Sequence, residues 1–148
     1  MNIDIARGLD QILFGMSEKD LVTRLGTPDK IVVTDVGNRD LCYYELRAVF
    51  KIEPANDNRV GWISVKNQNA TLSTLNPWQL KQPELLAHVS KLLGESFEMK
   101  DYGEMESFSF PESQVELQYE LGHLTAFNYG VPYDQDGEPR WPSLSHQR

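Results

Sequence analysis

Cysteine is nearly absent from this 148-residue chain: Cys42 is the only one. That excludes an internal disulfide, leaves stability to the hydrophobic core, and fits a reducing compartment. No apolar run is long enough for a membrane-spanning helix. The start, Met1 to Arg7, carries an early acid and no apolar block of signal-peptide length, so a cytoplasmic protein is expected. Histidine is scarce too. His88, His123 and His146 have no metal-triad spacing, and Cys42 lacks a Cys-x-x-Cys partner. No Gly-x-Ser-x-Gly elbow, phosphate loop or dinucleotide fingerprint occurs. No cofactor, metal or catalytic residue is therefore assigned. Positive charge is short as well: 14 Lys and Arg face 22 Asp and Glu, for a net charge of −8, which argues against nucleic acid as a direct ligand.

What is present starts with Phe14 to Asp29. Ser17 has the chemistry of an N-cap, its hydroxyl able to accept from the amide of Asp20, and Met16 and Leu21 have the spacing of a hydrophobic staple. Leu21, Val22 and Leu25 form one apolar stripe, Gly26 supplies a left-handed stop, and Pro28 prevents continuation. The plan recurs from Pro83 to Gly94, with Leu85, Leu86, Val89, Leu92 and Leu93 on one face.

Elsewhere alternation dominates. Strands are expected at 31–34, 41–45, 47–52 and 60–65, and again at 96–100, 106–110, 114–120 and 123–129. Residues 3–13 (Ile3, Ile5, Leu9, Ile12, Leu13) suit an amphipathic helix weakened by Gly8. Residues 66–74 read as a polar connector, and 132–148 as an irregular tail that Trp141 pins in part. Both halves share one order: helix, Leu-Gly, strand, Asp-x-Gly turn, then three more strands. Leu25-Gly26 answers Leu93-Gly94, and Asp35-Val36-Gly37 answers Asp101-Tyr102-Gly103. The expectation is one α+β domain over 1–148. It has two helix-then-antiparallel-strand repeats, about 14–66 and 76–131, forming one sheet with the helices on one face. Phe50, Ile52, Val115, Leu117, Leu25, Val89 and Leu93 should share its core, with Cys42 as buried filler.

The run Gly15-Met16-Ser17-x-x-x-Leu21-x-x-x-Leu25-Gly26-x-Pro28-Asp29 resembles the helix-to-strand segment of the tandem-repeat β-lactamase-inhibitor proteins. It is also similar to the small lipoprotein of the outer-membrane barrel-assembly machinery. The resemblance covers residues 14–29, and it implies a binding scaffold of short helices followed by antiparallel strands. Those proteins are exported, whereas this chain shows neither leader nor lipobox cysteine nor the inhibitors' disulfides. By type alone, a small acidic single-domain protein also resembles the immunity proteins of bacterial toxin systems.

The charge is unevenly spread. Residues 1–74 carry −1 and residues 75–148 carry −7. Asp101, Glu104, Glu106, Glu112, Glu116 and Glu120 are the candidate partner-binding residues, on the expectation that Glu116, Gln118 and Glu120 share a wet strand face that the neighbouring acids extend. Pairing of Glu104 with Glu106, or Glu116 with Glu120, would suit hydrolysis only if the carboxylates converged. Asp134-Gln135-Asp136-Gly137 opens like a calcium loop but lacks the closing glutamate, and reads as a turn. The reading is a non-catalytic immunity protein that covers a basic toxin domain, such as a nuclease. The alternatives are an adaptor or assembly factor binding through an aromatic sheet face or the tail, and a small carboxylate-based hydrolase.

Overall fold

The computed structural model describes residues 1–143, so His146 lies outside the described residues. Among the described residues, two α-helices and two sheets make an α+β fold, with two sheets where one was expected. The larger sheet has eight antiparallel strands: β4 (Lys30–Val33), β5 (Arg39–Tyr43), β6 (Ala48–Glu53), β7 (Arg59–Val65), β9 (Glu98–Asp101), β10 (Met105–Phe110), β11 (Val115–Glu120) and β12 (His123–Gly130). Their order is β4-β5-β6-β7-β12-β11-β10-β9, so β7 and β12 meet at the centre while β4 and β9 form the edges.

Register follows from alternation. Leu41, Phe50, Ile63, Tyr129, Val115 and Phe110 stand opposite one another in turn across six strands, and all are buried. Each fully buried side chain of this size is worth about 1.5–3 kcal/mol relative to exposure, so a one-residue slip of any strand is strongly disfavoured. Helices α1 (Glu18–Leu25) and α2 (Gln82–Leu93) join the same core through Leu21, Leu85, Leu86 and Val89. The expected core members Phe50, Ile52, Val115, Leu117 and Val89 are buried; Leu25 and Leu93 are half-buried at its margin.

The caps form as the residue types dictate. Ser17 Oγ accepts from the Asp20 amide at 3.1 Å, with Met16 and Leu21 both buried beneath. Gly94 ends α2 in the left-handed conformation at φ 64° and ψ 31°, whereas Gly26 ends α1 at φ 86° and ψ −174°, a positive φ but not the left-handed helical stop expected there.

Residues 3–13 depart from expectation. They form three short strands instead of a helix: β1 (Asn2–Asp4), β2 (Gly8–Leu9) and β3 (Ile12–Leu13), joined by β8 (Thr71–Leu72) inside the supposed polar connector. Ala6 at φ 72°, Asp10 at φ 53° and Gly8 at φ 152° are incompatible with helical propagation. Strand β1 finds backbone partners in both β2 and β8. Tyr129 Oη donates to the Gly8 carbonyl at 2.6 Å and ties this small sheet to the large one. Past β12, Trp141 lies against Gly15, and Tyr133 Oη accepts from Asn56 Nδ2 at 2.9 Å. The first residues of the tail are therefore anchored.

Candidate functional site

The face of the large sheet opposite the buried rows is the candidate site. Pairing places Lys30, Cys42, Val49, Ser64, Asn128, Glu116, Ser109 and Glu98 on one row across all eight strands. This row runs from a lysine at one edge to a glutamate at the other. A second row holds Val32, Asp40, Lys51, Trp62 and Gly130. A third holds Ala126, Gln118, Ser107 and Lys100.

Glu116 is the centre of a polar network on this face. It accepts from Ser107 Oγ at 2.6 Å, Asn128 Nδ2 at 3.1 Å and Gln118 Nε2 at 3.4 Å. Ser107 and Asn128 are only 2% and 5% exposed, so the carboxylate satisfies donors that water does not reach. Asn128 Oδ1 and Asp40 Oδ1 have no hydrogen-bond partner among the described residues. Both residues line a cleft of about 260 Å³ with Lys51, Trp62, Ser64 and Gln118. Lys51 Nζ stands 3.9 Å from Asp40, a loose ion pair.

A larger cleft of about 530 Å³ adjoins it, sharing Val49 and Lys66. Lys30, Arg47 and Lys66 ring a floor of Val32, Cys42, Ala48 and Val49, beside the exposed Tyr44. No acid lines it. Cys42 is thus a half-exposed surface residue, which corrects the expectation of buried filler. Desolvation and then Asp40 push its thiol up, while Lys30 and Lys66 pull the other way. The result keeps the sulfur protonated, unlike a nucleophilic thiolate.

The six acids singled out from the sequence do not lie on one face. Glu116 and Glu120 share the open face with Gln118, as alternation requires, while Val115, Leu117 and Tyr119 are buried. Glu106 sits opposite Tyr119 and Asp101, so Asp101 and Glu106 belong to the helix side. Glu104 and Glu112 flank opposite ends of β10, a six-residue strand about 20 Å long. Asp101 caps its own turn, accepting from the Gly103 amide at 2.8 Å. Glu98, which the sequence did not single out, joins Glu116 through Ser109. The cation-ringed cleft was missed altogether, because its members come from four segments with no shared motif.

Among the described residues no group of three or more His, Cys, Asp or Glu could hold a metal ion. Asp134 Oδ1 accepts from the amides of Asp136 and Glu138, the geometry of a turn. Among the described residues no helix is long and apolar enough to cross a membrane.

No protein-family model and no curated protein matches the chain. Among solved structures, an extracellular protein containing a SCP domain from Bacillus anthracis is similar, with a TM-score of 0.49 and 16% identity. The match covers 88% of this chain and 47% of that one, so the chain spans about half the length of the structure it matches.

Proposed function

We propose that this chain is a non-catalytic binding protein that covers a partner protein with the open face of its large sheet, in the manner of an immunity protein that neutralises a basic toxin domain. The observation that carries the reading is the open face itself: among the described residues both clefts on it are lined by sheet strands and the loops next to them, and by no helix. Eight strands at about 4.8 Å spacing span roughly 34 Å. With strands about 20 Å long, that is the order of the 800 Å² per partner that a stable interface needs.

Glu98, Glu116 and Glu120 outnumber Lys100 on the open face at the β9–β11 end, and this net negative charge would steer association with a basic surface. A tandem-repeat scaffold is supported by the strand order, in which each half supplies four consecutive strands after its helix. The free thiol of Cys42 supports a cytoplasmic setting. The hydrolase alternative receives no such support, since Glu116 is held by Ser107 and Asn128, and Glu106 points away from it. The adaptor alternative draws on Trp62, an aromatic residue on the open face.

The test is charge reversal at Glu98 and Glu120, both exposed and outside the Glu116 network. With a purified basic toxin domain encoded beside the gene, Glu98→Lys plus Glu120→Lys should slow association and flatten its salt dependence. Unchanged kinetics at every salt concentration would remove the acidic end from the interface.

A further inference from the structure

The two edges of the large sheet are unlike each other. Strand β9 carries Glu98, Lys100 and Asp101, the charged guarding expected of an edge. Strand β4 is Lys30-Ile31-Val32-Val33, with every residue exposed and its one charge at the first position. Ile31 is 40% and Val33 61% exposed, and Val36 in the following turn is 76% exposed. No proline or bulge interrupts Ile31 to Val33.

The register shows which backbone groups are free. Lys30 pairs with Cys42 and Val32 with Asp40, and the Thr34 amide donates to the Asn38 carbonyl at 2.9 Å, continuing the same pairing. Hydrogen-bonded pairs alternate along an antiparallel ladder, so residues 30, 32 and 34 point their amides and carbonyls inward. Those of Ile31 and Val33 then point away from the sheet, and among the described residues β4 has no strand neighbour but β5.

A second observation lies on the same edge. The 530 Å³ cleft begins at Lys30 and Val32 and is ringed by Lys30, Arg47 and Lys66. None of these three cations forms an ion pair among the described residues. Lys30 and Lys66 line the same cleft as Cys42, and the positive charge of both acts on its thiol. Three unpaired cations with no lining acid, on a chain of net charge −8, define a local field opposite in sign to the whole.

We propose that β4 is a strand-docking edge that takes an extended, acidic-and-apolar segment of a partner protein as a ninth strand of the large sheet. The free amides and carbonyls of Ile31 and Val33 supply the ladder. On the helix side, apolar side chains of the incoming strand stand beside Ile31 and Val33. On the open side, alternate acidic side chains meet Lys30 at the mouth of the cleft. The edge lies at the far end of the sheet from Glu98 and Glu120, so charge reversal at those two acids and peptide docking at β4 are read out separately.

The probe is a short synthetic peptide alternating valine and glutamate with blocked termini, compared with its valine–lysine counterpart, on the full chain. The glutamate peptide should bind and protect the Ile31 and Val33 amides from hydrogen exchange. Raised salt should weaken it, and Lys30→Glu should reduce its affinity about tenfold. Val33→Pro removes an outward N–H at an edge position that tolerates proline, and should abolish binding with the thermal unfolding curve retained. If that variant unfolds, Val33→Lys gives the same reading through side-chain guarding. Absence of binding, equal binding of the lysine peptide, or protection confined to other strands overturns the proposal. So does protection of Ile31 and Val33 that grows with protein concentration alone, which would make a second copy the occupant.

Discussion

The ring of Trp62 lies over Gly130 on the neighbouring strand, in the volume that a side chain at that position would fill. The pair sits at the middle of the open face, where β7 meets β12, so glycine there is a packing requirement. A Cβ at Gly130 would also stand 2.9 Å from the Gly61 carbonyl.

Gly130→Ala should therefore lift Trp62 off the sheet. A loss of about 1–3 kcal/mol is expected from overpacking, together with a change in tryptophan emission. Urea denaturation followed by fluorescence checks both, and a wild-type midpoint and spectrum would show that the ring is free to move aside.

Glu116 and Glu120 lie four residues apart on the same face of β11, yet they should respond very differently to truncation. Glu116→Ala strands the buried donors of Ser107 and Asn128 and should cost about 1–3 kcal/mol. Glu120→Ala removes an exposed charge and should stay within about 0.5 kcal/mol. Equal urea midpoints for the two variants would contradict the network.

The Glu53 carboxylate lies against Gly61 and accepts from Asn56 Nδ2 at 3.0 Å. Burial raises its pKa, with Asn56 and Lys51 opposing. The folded chain thus holds this proton more tightly than the unfolded chain does. Stability from that difference is present in full below the unfolded value of about 4.3, and is lost as pH rises through the raised folded value. Glu53→Gln stays neutral and can still accept from Asn56. Its stability relative to wild type should rise between about pH 4 and pH 7. Denaturation at both pH values decides this, and a constant difference would show that burial does not strain the carboxylate.

The helix ends offer a fourth kind of check. Ser17→Ala should cost about 1 kcal/mol through the lost bond to the Asp20 amide. Gly94→Ala should cost a similar amount, about 1 kcal/mol, because Gly94 sits at φ 64° and ψ 31° with open space around it. Steric crowding is thereby excluded at Gly94, and an unchanged thermal midpoint would mean that α2 ends without needing that conformation.

Much of the large sheet was legible in the sequence because alternation is a local signal. Val115, Leu117 and Tyr119 could be read as buried from their own strand, as could Phe50 and Ile52. Residues 3–13 were not legible in the same way. Ile3, Leu9, Ile12 and Leu13 fit a helical face and also fit three short strands. The choice rested on partners far along the chain: Thr71 and Leu72 beside β1, and Tyr129 reaching Gly8.

By itself the sequence determined where α1 starts, at the Ser17 cap, where both helices stop, at Gly26 and Gly94, and which residues of β6 and β11 face the core. Only the tertiary structure decided which wet faces share a surface. A side chain's neighbours across a sheet depend on register, and register depends on strand order and on bulges such as those beside Lys51 and Gln118. That is why Asp101 and Glu106 parted from Glu116, while Lys30, Arg47 and Lys66 came together. Side-chain alternation is set within one strand, whereas charge becomes a site only when separate strands are brought side by side.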